Sequence, residues 1–334
     1  MRVDKNTLEY TLRKILVLNG VSEEKAIICA NNLTENSLYG VVSHGVNRFP
    51  RLISMIRKGY IHPNAEPECR EAKGALEIWD GHLGLGNCNA ILCMDRTLAL
   101  AKQHGIGCIA LRNTNHWMRA GAYGIQAAKA GCMSICWTNT LPNMPTWGAQ
   151  DRRIGNNPLV LCVPYGESYL MSDCAMAQYS YGAIEKARLA GKHLHVAGGY
   201  NKKGELTTNP AEIEKTWRVL PIGYWKGSAM SILLDLLASG LSGGSSVKQV
   251  GEHGKDAEDE YGLCQIFIAI DASSRVELES HINDTINYIK DSELSQDGTE
   301  VRYPGEHSQA VYSENMLYGI EVEEVCWQTI LDMV

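Results

Sequence analysis

The chain has 334 residues, of which 45% are hydrophobic and 21% are charged, and its formal net charge at pH 7 is −7. This composition is typical of a globular protein and excludes a disordered chain, and the acidic balance argues against a nucleic-acid partner. The eleven cysteines include no C-x-x-C pair, and no apolar run reaches the roughly 18 residues that a membrane span needs. We therefore expect a cytoplasmic protein with reduced thiols and no membrane partner.

The first part of the chain predicts helices. Apolar residues recur at helical spacing over 4–19, a second helix follows Ser22 and ends near Gly40, and a third ends near Gly59. Pro63 then marks a boundary. The pattern predicts a helical N-terminal segment.

Strand and helix patterns alternate after that boundary. Strand patterns are found at 75–79, 107–112, 133–138, 159–163, 169–172 and 264–270, and helix patterns at 87–103, 177–189, 225–241, 277–290, 306–318 and 323–333. We expect an α/β fold with a mixed sheet flanked by helices and with helical segments at both termini. The predicted division is a helical part, formed by 1–65 and 295–334 packing together, and a mixed α/β core over 66–294.

The segment Ser43-His44-Gly45-Val46-Asn47-Arg48-Phe49-Pro50 carries groups suited to chemistry. Histidine exchanges protons near neutral pH, and the fork of donors on Arg48 suits a carboxylate. The two side chains would share a face if the turn is helical, and Gly45 would let a ligand approach the backbone. The alternative is a helix-start turn in which His44 caps a carbonyl.

A dinucleotide-binding glycine motif is absent. Gly84-Leu85-Gly86 and Gly105-Ile106-Gly107 lack the third glycine of G-x-G-x-x-G, and neither follows a strand. An ordinary Rossmann site is therefore not expected. His193 and His195 have a spacing that some metal sites share, but an exposed loop is the preferred interpretation and no metal is expected.

Three further positions have both a functional and a structural interpretation. His116 comes where a strand gives way to a helix and could face a ligand, or it could bond to Asn113 or Asn115. Arg119 could bind an anion at the helix start or pair with a surface carboxylate. Asp173 ends a strand and could hold a ribose diol or cap a helix.

These motifs together resemble the type 2 malate/lactate dehydrogenases. The resemblance rests on Ser-His-Gly-Val-Asn-Arg-Phe-Pro at 43–50, Asn-His-Trp-Met-Arg at 115–119, the segment around Asp173, and Tyr-Trp-Lys-Gly-Ser at 224–228, and it runs nearly end to end. It implies a non-Rossmann NAD-binding fold with a mixed, largely antiparallel sheet, assembled as a homodimer. It also implies a reductase that passes hydride to the carbonyl of an α-keto acid.

The resemblance assigns roles to individual residues. His44 is the expected proton donor, NADH rather than NADPH the expected cofactor, and a small keto sugar acid the expected substrate, held by Ser43, Arg48, His116 and Arg119. Cofactor contacts are expected in the 66–294 core and just beyond it, from Ser168, Tyr169, Leu170, Met171, Ser172, Asp173, Cys174, Tyr224, Trp225, Lys226, Pro304, Gly305 and Glu306.

The preference for NADH is the least fixed of these expectations. Asp173 would favour a ribose diol and repel a 2′-phosphate, and no arginine lies between Ser168 and Tyr179. However, many family members follow this aspartate with Ala-Thr-Ser, whereas this chain has Cys-Ala-Met at 174–176. The alternatives for function are a malate-, lactate- or ureidoglycolate-type dehydrogenase of the same family, or a catalytically silent ligand-binding homologue.

Overall fold

The computed structural model describes residues 1–254, 256, 259–296 and 298–334. The helices are α1 (Lys5–Leu18), α2 (Glu23–Leu38), α3 (Phe49–Arg57), α4 (Gly86–His104), α5 (Gly121–Lys129), α6 (Tyr181–Leu189), α7 (Pro210–Glu214), α8 (Trp225–Ser242), α9 (Val247–His253), α10 (Leu278–Lys290), α11 (Glu306–Tyr318) and α12 (Glu324–Leu331). The strands are β1 (Arg2–Val3), β2 (Glu68–Lys73), β3 (Leu76–Asp80), β4 (Ile106–Thr114), β5 (Cys132–Thr138), β6 (Met144–Pro145), β7 (Arg152–Ile154), β8 (Leu159–Tyr165), β9 (Ser168–Cys174), β10 (Gly199–Tyr200), β11 (Leu206–Thr207), β12 (Leu263–Asp271) and β13 (Ile320–Glu321).

A seven-stranded sheet with the order β2-β3-β4-β12-β5-β8-β9 forms the centre of the molecule. Only the β3–β4 pair is parallel, and all the other pairs are antiparallel. The predicted α/β class with a mixed, largely antiparallel sheet is therefore confirmed. A doubly wound Rossmann sheet would have parallel neighbours throughout.

Helices cover both faces of this sheet because the strands alternate their apolar side chains between the two faces. Ile109 and Leu111 of β4 belong to a buried cluster with α4 and α5. Ala110, between them, belongs to a second cluster with Leu234 and Ala238 of α8. The central strands are thus buried on both sides, which fixes their register.

The two ends of the chain pack together. Strand β1 pairs with β13, and Leu8 and Leu12 of α1 lie in one buried cluster with Ile320 and Ile330. Leu85 and Met118, from outside the terminal segments, also belong to that cluster. The division into 1–65 plus 295–334 and 66–294 stays a prediction.

Helix α8 is apolar on its outward face as well as its inward one. The sequence pattern predicts a long apolar helix at this position, and the structure contains one. On its outward face, Leu233, Leu236 and Leu237 each have more than half of their surface exposed. In the part of the chain that the structure describes, no single helix has the length and apolarity to cross a membrane. Taken together, α8 and α9 have the length and apolar composition of a membrane span, but the pair is bent by 77° at the break between the two helices.

Candidate active site

A cavity of about 830 Å³ lies where the N-terminal turns, the end of the sheet and the start of α11 meet. Its walls come from 3₁₀ turns at Val42–His44 and Val46–Arg48, from the segment after β4, and from the end of β9. Of the predicted site residues, the cavity is lined by Ser43, His44, Arg48, His116, Arg119, Met171, Asp173 and Gly305.

The segment 43–50 is built from two short turns rather than one helix. Gly45 separates the turns, and a Cβ atom there would lie 2.2 Å from Oγ of Ser37. The missing side chain of Gly45 therefore lets the segment pack against α2. The expectation that Gly45 lets a ligand approach the backbone stays a prediction. The backbone N–H of Val46 donates to the same Oγ atom at 2.9 Å. This anchoring leaves His44 and Arg48 on the cavity wall.

His44 and His116 lie side by side in the cavity. Their ring centroids are 5.6 Å apart and the rings are 22° from parallel. Nδ1 of His44 lies 3.0 Å from Oγ of Ser43. Nδ1 of His116 accepts the backbone N–H of Met118 at 3.1 Å, so a neutral His116 carries its proton on Nε2 and can donate to a ligand from there.

Burial, together with the surrounding positive charge, favours the neutral form of both imidazoles in the free protein. Burial, followed by the charges of Arg48 and Arg119, lowers the pKa of His44 to about 4. Burial and the charges of Arg48, His44 and Arg51 also hold the pKa of His116 well below its ordinary value. An anionic ligand that offsets these arginines would raise the pKa of His44.

Asn115 holds the turn that carries His116. Its buried Nδ2 donates to the carbonyl oxygen of Leu83 at 2.8 Å and to that of Gly84 at 3.0 Å. The backbone carbonyl oxygen of Asn115 accepts a hydrogen bond from Nε2 of Gln265, a residue of β12, at 2.9 Å. The asparagine therefore fixes the backbone of the turn and leaves the neighbouring imidazole to face the cavity.

Arg48 is paired with a carboxylate from an unexpected part of the chain. The acidic run 252–260 is most simply predicted to be a solvated loop, but Glu260 is buried and its Oε2 lies 3.2 Å from Nη2 of Arg48. The backbone N–H of Leu141 donates a hydrogen bond to Oε1 of Glu260 at 3.3 Å. Asp259 is also buried and pairs with Lys58 at 2.9 Å. That prediction is wrong for these two residues, and positions 255, 257 and 258 of the run lie outside the described residues.

Replacing Glu260 with Gln is expected to lower the free energy of unfolding by about 2 kcal/mol, because it removes a buried carboxylate that pairs with Arg48. Urea unfolding followed by circular dichroism measures this change. Glu252→Gln is the matched control, since Glu252 is exposed on α9, and we expect it to stay within about 0.5 kcal/mol of the parent. Equal stability of the two variants would show that the Arg48–Glu260 pair contributes nothing net.

Arg119 is only 4% exposed but faces the cavity. Its Nε lies 3.6 Å from Oδ2 of Asp173, and its guanidinium lies over the ring of Tyr39, with Cζ 4.5 Å from the ring centroid. Among the residues that the structure describes, Nε and Nη1 have no hydrogen-bond partner. Buried donors of this kind are normally paired, so an anionic ligand is the natural complement to this side chain.

Asp173 belongs to the same corner of the cavity. Its Oδ2 accepts the backbone N–H of Gly121, the first residue of α5, at 2.9 Å. It therefore caps a helix that precedes it in sequence. Burial raises the pKa of Asp173, and Arg119 together with the Gly121 amide opposes that rise.

The N-terminus of α11 closes the cavity on the side of Asp173. Gly305 precedes α11 with a left-handed φ of 96°, and the carbonyl of Pro304 accepts the N–H of Met171 at 3.0 Å, which ties the helix start to β9. Arg302 and Ser308 also line the cavity here. Helix N-termini and arginines favour phosphate groups, so this end of the cavity fits the diphosphate of a dinucleotide.

Other predicted cofactor residues do not line the cavity. The hydroxyl of Ser168 donates to Gln309, and Glu306 pairs with Lys290. Tyr224 and Trp225 are exposed at the start of α8. The remaining predicted contacts outside the cavity lining are Tyr169, Leu170, Ser172, Cys174, Lys226 and Pro304.

Several cavity residues were not predicted from the sequence. They include Arg51, Thr140, Asn143, Arg152, Asn156, Tyr181, Glu260, Arg302 and His307. Polar residues just after a strand were the available signal, since Thr140 and Asn143 follow β5 as His116 follows β4. In the described part of the chain, no group of three or more His, Cys, Asp or Glu side chains is arranged to hold a metal ion.

Comparison with known proteins identifies the family of the chain. The sequence model of the malate/L-lactate dehydrogenase family matches residues 3–331. The chain belongs to that family. The predicted resemblance is confirmed, the chain is an oxidoreductase of this family, and the family implies a nicotinamide cofactor.

Individual relatives extend over almost the full chain. The 2,3-diketo-L-gulonate reductase of Escherichia coli O127:H6 is 43% identical over 333 residues, which are 99% of both chains. The solved sulfolactate dehydrogenase of Methanocaldococcus jannaschii has a TM-score of 0.90 at 27% identity, over 100% of this chain and 96% of its own. The malate dehydrogenase of Pyrococcus horikoshii OT3 has a TM-score of 0.87 at 28% identity, over 100% and 94% of the two chains.

Proposed function

We propose that the protein reduces 2,3-diketo-L-gulonate to 3-dehydro-L-gulonate, with NADH as the cofactor and His44 as the proton donor. The observation that carries the proposal is the pair His44 and His116 in a cavity that Arg48 and Arg119 also line, in a chain 43% identical to 2,3-diketo-L-gulonate reductase. Reduction of a ketone creates an alkoxide, which must receive a proton as its charge develops.

The side chains divide this task. Arg48, held by Glu260, or Arg119 meets the substrate carboxylate, and Nε2–H of His116 donates to the carbonyl oxygen or to an adjacent hydroxyl. Burial and then the charges of Arg48 and Arg119 lower the pKa of His44, and binding of the carboxylate offsets these charges. His44 can then be protonated in the complex and give its proton to the substrate oxygen, and Ser43 orients its ring through Nδ1.

The polar lining beyond the histidines supports a hydroxyl-rich substrate. Thr140, Asn143 and Asn156 line the cavity, and Oδ1 of Asn143 is buried without a hydrogen-bond partner among the residues described. The keto acids pyruvate and oxaloacetate have no hydroxyls to use such groups, whereas a six-carbon sugar acid has several. This contrast favours the sugar acid over a malate- or lactate-type substrate.

The part of the cavity around Asp173 and the start of α11 is the proposed cofactor site. Asp173, Met171 and Gly305 line it, and the start of α11 and Arg302 suit a diphosphate. When bound, NADH supplies the hydride. The chain's own contribution is to hold the nicotinamide end beside His44 and to exclude water from the carbonyl.

NADH is expected to give a higher kcat/KM than NADPH, because the carboxylate of Asp173 repels a 2′-phosphate. Arg119, which lies outside positions 168–179, is 3.6 Å from this carboxylate and offsets part of its charge. Asp173→Asn keeps an acceptor for the Gly121 amide, and we expect it to reduce the NADH/NADPH ratio about tenfold. Steady-state kinetics with both cofactors measure the ratio. An unchanged ratio in the variant would assign the discrimination to other residues.

Absorbance of NADH tests the proposed function directly. The purified protein is mixed with NADH and, in turn, 2,3-diketo-L-gulonate, pyruvate, oxaloacetate and other 2-keto acids. We expect the highest kcat/KM with 2,3-diketo-L-gulonate. A higher value with a smaller acid would indicate another dehydrogenase of the family, and no oxidation with any acid would indicate a ligand-binding homologue.

We further propose that the protein is a cytoplasmic homodimer acting in carbohydrate metabolism. All eleven cysteines are free thiols, which agrees with a reducing compartment. Leu233, Leu236 and Leu237 form an exposed apolar stripe on α8, and a two-fold axis would let this stripe cover its own copy. Sedimentation at twice the 36.8 kDa chain mass supports the dimer, and sedimentation as a single chain contradicts it.

A further inference from the structure

Arg119 is held in an unusual way for a buried cation. The neighbouring carboxylate oxygen of Asp173 lies 3.6 Å from Nε and already accepts the N–H of Gly121 at 2.9 Å. Among the described residues, neither Nε nor Nη1 has a hydrogen-bond partner. Something other than hydrogen bonds to these two atoms must therefore fix the guanidinium.

The ring of Tyr39 provides that support. Tyr39 follows the last residue of α2, and Cζ of Arg119 lies 4.5 Å from its ring centroid, within the range of a cation–π contact. The ring is itself packed between two elements. Tyr312 of α11 lies 4.5 Å away between centroids, and Tyr169 of β9 meets it edge-on at 6.5 Å.

A ring and a carboxylate hold an arginine with different consequences. Glu260 accepts from Arg48 and offsets its charge. The face of a tyrosine ring attracts the guanidinium but accepts none of the N–H groups in the guanidinium plane. The ring therefore holds Arg119 without occupying its N–H groups, and the side chain lines the cavity.

We propose that Tyr39 is a positioning residue, which holds Arg119 through its ring face so that the guanidinium group can bind the anionic group of the substrate. This inference rests on the proposed role of Arg119 in binding that group. It concerns the ring and not the phenol oxygen, because the contact involves the ring face.

Three variants separate this role from a merely structural one. Tyr39→Leu removes the ring, Tyr39→Phe keeps it, and Tyr312→Leu removes a neighbouring ring that does not line the cavity. We expect Tyr39→Leu to raise the KM for 2,3-diketo-L-gulonate about tenfold, with kcat changed less than about threefold. The dissociation constant of NADH should not change. The KM of Tyr39→Phe should stay within about twofold of the parent value, because only the ring is needed. The KM of Tyr312→Leu should also stay near the parent value. If Tyr39→Leu does not fold, Tyr39→Met replaces it.

A double-variant cycle shows whether Tyr39 acts through Arg119. If it does, Tyr39→Leu has little further effect in an Arg119→Met background, because the two effects are not additive. Full additivity, or a Tyr39→Phe variant as impaired as Tyr39→Leu, overturns the inference.

Binding of oxalate distinguishes this inference from the proposed function. Oxalate, a dianion without hydroxyls, is titrated by calorimetry in the presence of NAD⁺, so the readout remains even if the protein does not reduce 2,3-diketo-L-gulonate. Weaker binding in both Arg119→Met and Tyr39→Leu supports the inference. Weaker binding in Arg119→Met alone contradicts it, and unchanged binding in both variants contradicts the role of Arg119 as well.

Discussion

Replacing His44 with Gln is expected to lower kcat by about 10²-fold or more, the scale of lost general acid catalysis, while NADH still binds. Glutamine occupies a similar volume and can hydrogen-bond, but it cannot deliver a proton at neutral pH. Single-turnover NADH oxidation measures the chemical step, and quenching of tryptophan fluorescence measures NADH binding. His195→Gln is the matched control, since His195 is exposed and outside the cavity lining. Near-normal turnover of a folded His44→Gln protein would remove His44 from this role.

The pH dependence of the reaction gives a second measurement on the same group. His44 has a pKa of about 4 in the free protein because of burial and the charges of Arg48 and Arg119. Keto reduction requires the protonated form, so kcat/KM, which reports the free enzyme, should fall as pH rises through that low value. The substrate carboxylate offsets the arginines and raises the pKa in the complex, so kcat should fall at a higher pH than kcat/KM. Coincident profiles would contradict this coupling.

Elements with strong apolar periodicity could be predicted from the sequence, and elements without it could not. Strand β12 is buried and apolar, and the predicted 264–270 differs from Leu263–Asp271 by one residue at each end. Strand β2 has the sequence Glu-Cys-Arg-Glu-Ala-Lys and all six residues are exposed. Nothing in that pattern predicts a strand, because it is an edge strand specified by pairing with β3 rather than by burial.

The candidate site divides in a similar way. His44, Arg48, His116 and Arg119 are recognisable from local motifs, and the structure brings them to one cavity. The partners that hold the two arginines are not recognisable, because each comes from a distant segment. Glu260 lies 212 residues from Arg48 in sequence, and its acidic neighbours predict exposure. Tyr39 precedes Arg119 by eighty positions, and only the fold brings its ring to the guanidinium.

Replacing Arg119 with Met is expected to lower kcat/KM for 2,3-diketo-L-gulonate by about 10- to 100-fold, the equivalent of one lost charged hydrogen bond. A buried arginine just before α5 is unfavourable next to the positive end of that helix, and Asp173 at 3.6 Å offsets only part of this cost. The methionine variant removes the charge but retains an apolar chain over Tyr39, so the fold is expected to survive. Kinetics with 2,3-diketo-L-gulonate and with a smaller accepted keto acid measure the effect separately for each substrate.

The comparison between the two substrates decides what Arg119 does. If Arg119 meets the carboxylate that every 2-keto acid shares, both substrates lose activity to a similar extent. A much smaller loss with the smaller acid would show that Arg48 meets the carboxylate and that Arg119 acts on groups found only in the sugar acid. Arg119→Lys, which keeps the charge but not the planar fork, should fall between the parent and the methionine variant for 2,3-diketo-L-gulonate. Equal losses for both substrates would show that Arg119 serves the shared carboxylate or the fold. The preference for the sugar acid would then depend on Thr140, Asn143 and Asn156, which line the same cavity.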